Sequence, residues 1–313
     1  MKTIRGARCG LMGMALLVAI SAPGQNLFVS SFTLNKVDEI APNGTVSTFA
    51  TGIIDPTYMA FNSAGNLFVV SGSSIIEVTP GGVKSTFASG LVDIGGLAFD
   101  SAGDLYVSDF NVSGSIAEFT PGGVESTFAT GLDEPRGLAF NTAGDLFAGT
   151  INNIIQITPG GSQSVFVSGL NGGVNSLAFN NAGNLFAVSD ALEILEITPT
   201  GTRSNFAPVA AAGQMAFNGQ GILFVANENN EGVLEYNSSG TQSTFVPGLG
   251  EAIGLVFQPV PEPSAGALAG PGAVALWLWR CKLGRKESTI NQEQLNNHEN
   301  HKENLWNRPG ADV

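Results

Sequence analysis

Three markers each return six times along this chain at a spacing of about 39 residues, and a fixed period of that length constrains the fold more than any other feature of the sequence. The aromatic of a Leu-Phe/Tyr pair falls at Phe28, Phe68, Tyr106, Phe147, Phe186 and Phe224, with spacings of 40, 38, 41, 39 and 38. A Ser-x-Phe element places its aromatic at Phe49, Phe87, Phe128, Phe166, Phe206 and Phe245, and a mostly Leu/Met-Ala-Phe element at Phe61, Phe99, Phe140, Phe179, Phe217 and Phe257. Each unit breaks into four short apolar bursts, here called A to D. In the third unit they are residues 96–99, 105–108, 116–120 and 125–129, separated by Asp-Ser-Ala-Gly, a variable 109–115 segment and Pro-Gly-Gly. Short bursts joined by Asn/Asp-x-x-Gly and Pro-Gly-Gly turns predict an antiparallel meander of four strands.

A lone four-stranded sheet cannot bury both faces, so the units have to stack. Stacking around an axis leaves only short, protected edges and predicts a six-bladed β-propeller. The phase of the repeat agrees. The body opens on a B strand (Leu27, Phe28) and its last element is an A strand (Leu255, Val256, Phe257), so N-terminal B, C and D strands are expected to be completed by a C-terminal A strand. A β-solenoid or a pair of sandwiches is the competing architecture, but an open solenoid has no use for this offset. Gly is 41 of 313 residues and charged residues only 12%, a balance that excludes disorder, coiled coil and most helical bundles.

Both chain ends read differently from the body. Residues 1–24 carry Lys2, Arg5 and Arg8, an apolar stretch over 11–20 and small residues at Ser21, Ala22 and Gly24, the pattern of a secretory signal. At the other end Pro261, Glu262 and Pro263 precede an apolar run over 265–279, then Arg280, Lys282, Arg285 and Lys286. That run spans roughly 22 Å, short of the roughly 30 Å hydrocarbon core, so it suits transient membrane anchoring better than permanent insertion. Basic residues flank both apolar stretches on the side expected to stay inside, which leaves residues 25–259 outside. Residues 287–313 read as a polar, disordered tail. The only cysteines, Cys9 and Cys281, lie in the end segments, so the body holds no disulfide.

Two resemblances follow from these residues. The order of Pro261-Glu262-Pro263, apolar run and basic cluster resembles the PEP-CTERM sorting signal of Gram-negative bacteria. That implies an exosortase-type protease as partner and an address on the outer surface or in the extracellular matrix; the 27 residues after Lys286 depart from the usual pattern. The stretch 137–148, Gly-Leu-Ala-Phe-Asn-Thr-Ala-Gly-Asp-Leu-Phe-Ala, with relatives at 96–107 and 176–187, resembles NHL-type repeats and the related gluconolactonase and virginiamycin B lyase propellers.

Within the chain, the A–B and C–D turns are near copies of one another and read as structural. The B–C and D–A connections diverge, so a site is expected on their face, near the axis. Asp109, Asn111, Arg136, Asn175, Asp190, Asn227 and Glu228 are the candidate ligand-binding residues there. Resemblance to gluconolactonases implies a divalent metal held by Glu, Asn and Asp side chains, and Asp109, Asp190 and Asn227 are the candidate ligands for calcium. Asp and Asn after a B strand are equally expected as turn residues that bond their own backbone. Arg136 can clamp a carboxylate or pair locally with Asp133 or Glu134.

Two function classes stay open. One is a metal-dependent lactonase or hydrolase of the gluconolactonase type; the other is a non-catalytic binding or structural module contacting polysaccharide or a surface protein, and the residues favour the second. The body has no His, because His298 and His301 are in the tail. This excludes Ser-His-Asp catalysis within it and counts against the histidine-dependent chemistry that resemblance to virginiamycin B lyase implies. Twenty acidic residues against Lys36, Lys84, Arg136 and Arg203 give the body a net −16, which excludes a nucleic-acid partner.

Overall fold

The computed structural model describes residues 24–259, apart from 112–113 and 230–231. The signal, sorting and tail segments, with Pro261, Glu262 and Pro263, lie outside the described residues. Every element described is a strand: β1 (Leu27–Ser31), β2 (Lys36–Ile40), β3 (Val46–Thr51), β4 (Pro56–Phe61), β5 (Leu67–Ser71), β6 (Ser74–Val78), β7 (Lys84–Ser89), β8 (Ile94–Phe99), β9 (Leu105–Asp109), β10 (Gly114–Phe119), β11 (Glu125–Leu132), β12 (Leu138–Phe140), β13 (Leu146–Gly149), β14 (Ile151–Ile157), β15 (Gln163–Phe179), β16 (Leu185–Ser189), β17 (Glu193–Ile197), β18 (Arg203–Pro208), β19 (Met215–Phe217), β20 (Leu223–Asn227), β21 (Gly232–Tyr236), β22 (Gln242–Val246) and β23 (Ala252–Phe257). Among the described residues no helix is long and apolar enough to cross a membrane.

The strands form antiparallel four-stranded sheets in the orders β23-β1-β2-β3, β4 to β7, β8 to β11 and β19 to β22. A seven-stranded sheet, β12 to β18, holds two such sets, because the 17-residue β15 is the last strand of one and the first of the next. The last described strand pairs with the first, Leu27 lying opposite Phe257 and Val29 opposite Leu255. The third unit's strands run longer than the apolar bursts, β8 starting at Ile94 and β11 reaching Leu132. Bulges in the β10–β11 ladder absorb the extra residues, so polar positions still join it.

Burial follows from stacking. The second strand of each sheet is covered on both faces, so Leu67, Phe68, Val69 and Val70 are all buried and the sequence reads as a continuous apolar run. The outermost strand meets water, and β7 (Lys-Ser-Thr-Phe-Ala-Ser) is exposed or half-buried throughout. The six aromatic sets seen in the sequence become six triads. Phe28 meets Phe49 of its own sheet and Phe61 of the next edge-to-face, and Phe68, Tyr106, Phe147, Phe186 and Phe224 repeat the arrangement, with ring centroids 4.8–5.2 Å apart. Each such pair contributes about 0.5–1.5 kcal/mol beyond area burial. The last triad joins Phe224 and Phe245 to Phe257 on β23.

An amide–carboxylate pair stands beside four of the six triads. The amides of Asn26, Asn66 and Asn184 donate to Glu39, Glu77 and Glu196 on the neighbouring strand. In the fourth unit the roles are exchanged, and Gln156 Nε2 donates to Asp145 Oδ2 at 2.8 Å. The third unit has acids at both places, Asp104 and Glu118, and is also the one whose triad centre is Tyr rather than Phe. Tyr106 Oη donates to Glu118 Oε1 at 3.2 Å, replacing the missing amide. Burial and then the Glu118 charge hold that phenol well above its ordinary range.

The first strands of successive sheets meet at the middle: β23 contacts β4, β4 contacts β8, β8 contacts β12, β12 contacts β15, β15 contacts β19, and β19 contacts β23. They approach closely enough for backbone bonds between sheets. Gly96 N donates to the Arg136 carbonyl at 2.8 Å, and Gln214 N to the Ile253 carbonyl at 2.7 Å. A Cβ on Gly96 would lie 2.6 Å from that Arg136 oxygen, so the glycine is what allows the approach.

Candidate functional site

The diverging connections lie together on one face, and Arg136 is the hub of their contacts. Its loop leads from β11 into β12, and its backbone is fixed from both sides: the Arg136 carbonyl accepts from Gly96 N, and Arg136 N donates to the Gly149 carbonyl at 2.8 Å. Ser108 Oγ also donates to the Arg136 carbonyl, at 2.7 Å.

The guanidinium then reaches across three units. Nη1 donates to Asn175 Oδ1 at 2.6 Å and lies 3.3 Å from Asp190 Oδ2, while Nη2 donates to Glu134 Oε2 at 3.1 Å. Its Cζ stands 4.7 Å from the ring centroid of Phe110, a cation–π contact with a residue that is 38% exposed. Asn175 Nδ2 donates to Asp190 Oδ1 at 2.8 Å and Gly173 N to Asp190 Oδ2 at 2.9 Å, closing the network. A Cβ on Gly173 would lie 2.6 Å from Nη1, so that glycine makes room for the guanidinium. Arg136 Nε is buried and makes no hydrogen bond among the described residues.

Of the residues expected from sequence, Arg136, Asn175 and Asp190 are therefore in direct contact. Asp109 ends β9 and accepts from Asn111 Nδ2 at 2.7 Å, flanking Phe110 rather than touching the guanidinium. Burial raises the Asp109 carboxyl above its ordinary value, the Asn111 bond opposes this, and the Asp93 charge adds to it. Asn227 is fully buried at the end of β20, and its Oδ1 accepts from Asn229 N at 2.9 Å, a turn role within its own connection. Glu228 follows it into solvent. Its carboxyl is raised above the ordinary range by partial desolvation first, then by the charges of Glu251 and Asp190. Asp190 and Asn175 face Arg136, and among the described residues no three His, Cys, Asp or Glu side chains gather closely enough to hold a metal.

Sequence reasoning missed Tyr58. It sits on β4 three residues before Phe61, and the same place in the other units holds Gly96, Gly137, Ser176, Gln214 and Gly254. Its phenol is half-buried and pushed up to about 12, by desolvation first and then by the charge of Glu228, with Arg136 opposing and Asp190 adding. These four groups thus share one electrostatic site. Gln214, also missed, ties inner strands together: Oε1 accepts from Met59 N and Leu255 N, each at 3.1 Å, and Nε2 donates to the Met59 carbonyl at 2.8 Å. A departure from the repeat at the position of Tyr58 and Gln214 was the available signal.

No known protein-family profile matches the chain, and no curated protein matches it. Solved structures do. A gluconolactonase from Xanthomonas campestris is similar over 77% of this chain and 93% of its own, at 14% identity and a TM-score of 0.57. A streptogramin B lyase matches over 76% and 92%, at 15% identity and a TM-score of 0.54. A protein of unknown function from Bacteroides caccae matches over 76% and 100%, at 16% identity and a TM-score of 0.60. With four-stranded antiparallel sheets stacked about their first strands and these likenesses, the fold is that of a β-propeller.

Proposed function

We propose that this chain is a hydrolase of lactones or related esters, acting at the mouth formed by the diverging connections of a closed six-bladed propeller. The pairing of β23 with β1, the six aromatic triads and the order of contacts among the first strands support the blade count and the closure. Likeness to a gluconolactonase and a streptogramin B lyase favours an enzyme over a purely non-catalytic module.

The reading rests on Tyr58, an inner-strand phenol at a place where four of the other five units have Gly or Ser and one has Gln214, which feels the charges of Glu228, Arg136 and Asp190. A carboxylate of raised basicity within electrostatic reach of a phenol that stays protonated supplies a base and a hydrogen-bond donor to one mouth. Glu228 takes a proton from a water molecule whose oxygen attacks the acyl carbon. Tyr58 Oη, which makes no hydrogen bond among the described residues, donates to the developing oxyanion. When the ring C–O bond breaks, the proton on Glu228 passes to the alkoxide and the hydroxy acid leaves. Arg136, engaged by Glu134, Asn175 and Asp190, holds the loops in place. The step needs no metal, and calcium is left to a titration of the same protein.

The test is turnover of aldonolactones and aryl esters by the full chain, followed as acid release. Glu228→Gln and Tyr58→Phe should each lower kcat by about 100-fold or more without lowering the melting temperature. Absence of turnover on both substrate classes refutes the reading. It then leaves a non-catalytic module for polysaccharide or a surface protein, which the lack of His in the body and the engagement of Arg136 by Glu134, Asn175 and Asp190 favour. The same proposal places the protein outside the cell, with 1–24 as signal peptide and 260–286 as an exosortase-recognised sorting segment, supported by the basic residues flanking both apolar runs.

A further inference from the structure

We infer that a cleft on the opposite face, within the seven-stranded sheet between the set ending in β15 and the set beginning there, binds a neutral sugar chain. The cleft encloses about 700 Å³, within the range of small-molecule sites. Its walls are the rings of Phe147, Phe166 and Phe179, and its polar groups include Gln156, Asn180 and Thr142. None of the residues that line it is charged.

That neutrality is a local departure from the repeat. The place of Gln156 on the third strand is occupied by Glu39, Glu77, Glu118, Glu196 and Glu235 in the other five units. Here the acid has moved to Asp145 and is tied down, accepting from Gln156 Nε2 at 2.8 Å and from Asn141 Nδ2 at 3.3 Å. In a body of net −16, this inter-sheet cleft presents an amide where the repeat presents a carboxylate.

Spare hydrogen-bonding capacity points the same way. Asn180 Oδ1 is used by the turn, accepting from Ala182 N and Asn184 N at 3.0 Å, but its Nδ2 makes no hydrogen bond among the described residues. Thr142 Oγ1 and Gln156 Oε1 are likewise unspent there, and Thr142 is exposed at the entrance. Aromatic rings beside uncharged donors and acceptors match a sugar ring, whose C–H faces are apolar and whose hydroxyls need both kinds of partner. A cation gains no charge partner from such a lining, and an anion gains no cation.

This site is separate from the mouth and does not rest on the hydrolase reading. The test is calorimetric titration of the full chain with cellohexaose and maltohexaose as neutral probes, and hexagalacturonate as the acidic one. Saturable binding of a neutral probe is expected, with hexagalacturonate at least about tenfold weaker. Thr142→Trp, which fills the entrance from an exposed turn position, and Gln156→Glu, which restores the acid of the other units, should each weaken the neutral probe at least about tenfold. Arg136→Ala should leave that affinity unchanged. Should Gln156→Glu fail to fold, Thr142→Trp alone decides. No heat with either neutral probe at millimolar concentration overturns the inference, as does equal binding of the acidic probe. Binding lost in Arg136→Ala but kept in the cleft variants overturns it too, since it moves the ligand to the mouth.

Discussion

Replacing Gly96 with Ala tests the claim that the first strands meet backbone to backbone. The new methyl would stand 2.6 Å from the Arg136 carbonyl oxygen and 3.0 Å from Leu138 N. Neither neighbour is a flexible side-chain end, so β8 and the segment entering β12 must separate. Separation forfeits the 2.8 Å bond from Gly96 N to the Arg136 carbonyl, worth about 1 kcal/mol. It also incurs overpacking strain of about 1–3 kcal/mol, for a total of about 2–4 kcal/mol. For a body of this size each kcal/mol lowers the midpoint by about 2–4 °C, so thermal unfolding should shift down by about 5–15 °C. Because the displaced oxygen belongs to Arg136, the substitution should also loosen the guanidinium network. Gly160→Ala is the control, since a Cβ there meets nothing within 4 Å and its φ is not positive. It should be neutral or slightly stabilising. Equal midpoints for the Gly96 variant and wild type, or an equal loss in the Gly160 control, would refute the close approach.

Three further outcomes follow. Tyr106→Phe should cost about 1–2 kcal/mol in denaturant unfolding by leaving Glu118 facing Asp104 without a donor, and adding Asp104→Asn should recover most of it by recreating the amide pair of Asn66 and Glu77. Glu228→Gln should stabilise the protein at neutral pH and have no effect well below pH 4.5, its ordinary value. The sign follows from the direction of the shift: a raised carboxyl favours the folded state while protonated, and that advantage is lost as pH rises through the folded value, so melting curves across pH 4–8 check it. Arg136→Lys should behave as a disruptive change, losing about 1–2 kcal/mol, because a single ammonium cannot serve Glu134, Asn175 and Asp190 at once.

The four-stranded sheets and their turns were legible because each unit repeats the same solution, so periodic aromatics and Asn-x-x-Gly turns report on one another. Arg136, Asn175 and Asp190 were legible too, since they sit on connections that diverge while the turns do not. Tyr58 was hidden by its place inside a strand, where a tyrosine reads as ordinary core. Only alignment against Gly96, Gly137 and Gly254 shows that it carries a large side chain where those counterparts have none. Asn227 is harder to read for the opposite reason: a polar residue on a variable connection looks available, but it is buried and its Oδ1 accepts from Asn229 N within the turn. The two halves of β15 were unreadable as one strand, because the Gly-Leu-Asn-Gly-Gly stretch between them carries turn signals that hydrogen bonding to β14 and β16 overrides.

Leu27 faces Phe257, and Gln258 N donates to the Asn26 carbonyl at 2.9 Å, so the two ends of the body stand where every other sheet carries a short turn. The order of residues along the polypeptide is therefore not a requirement of the architecture. Splicing Gln258 to Asn26 with an Asn-x-x-Gly linker and cutting instead at the turn after Phe140 should yield a circular permutant with the same core. Its new ends would open at the mouth of the neutral cleft, a convenient place to attach a reporter.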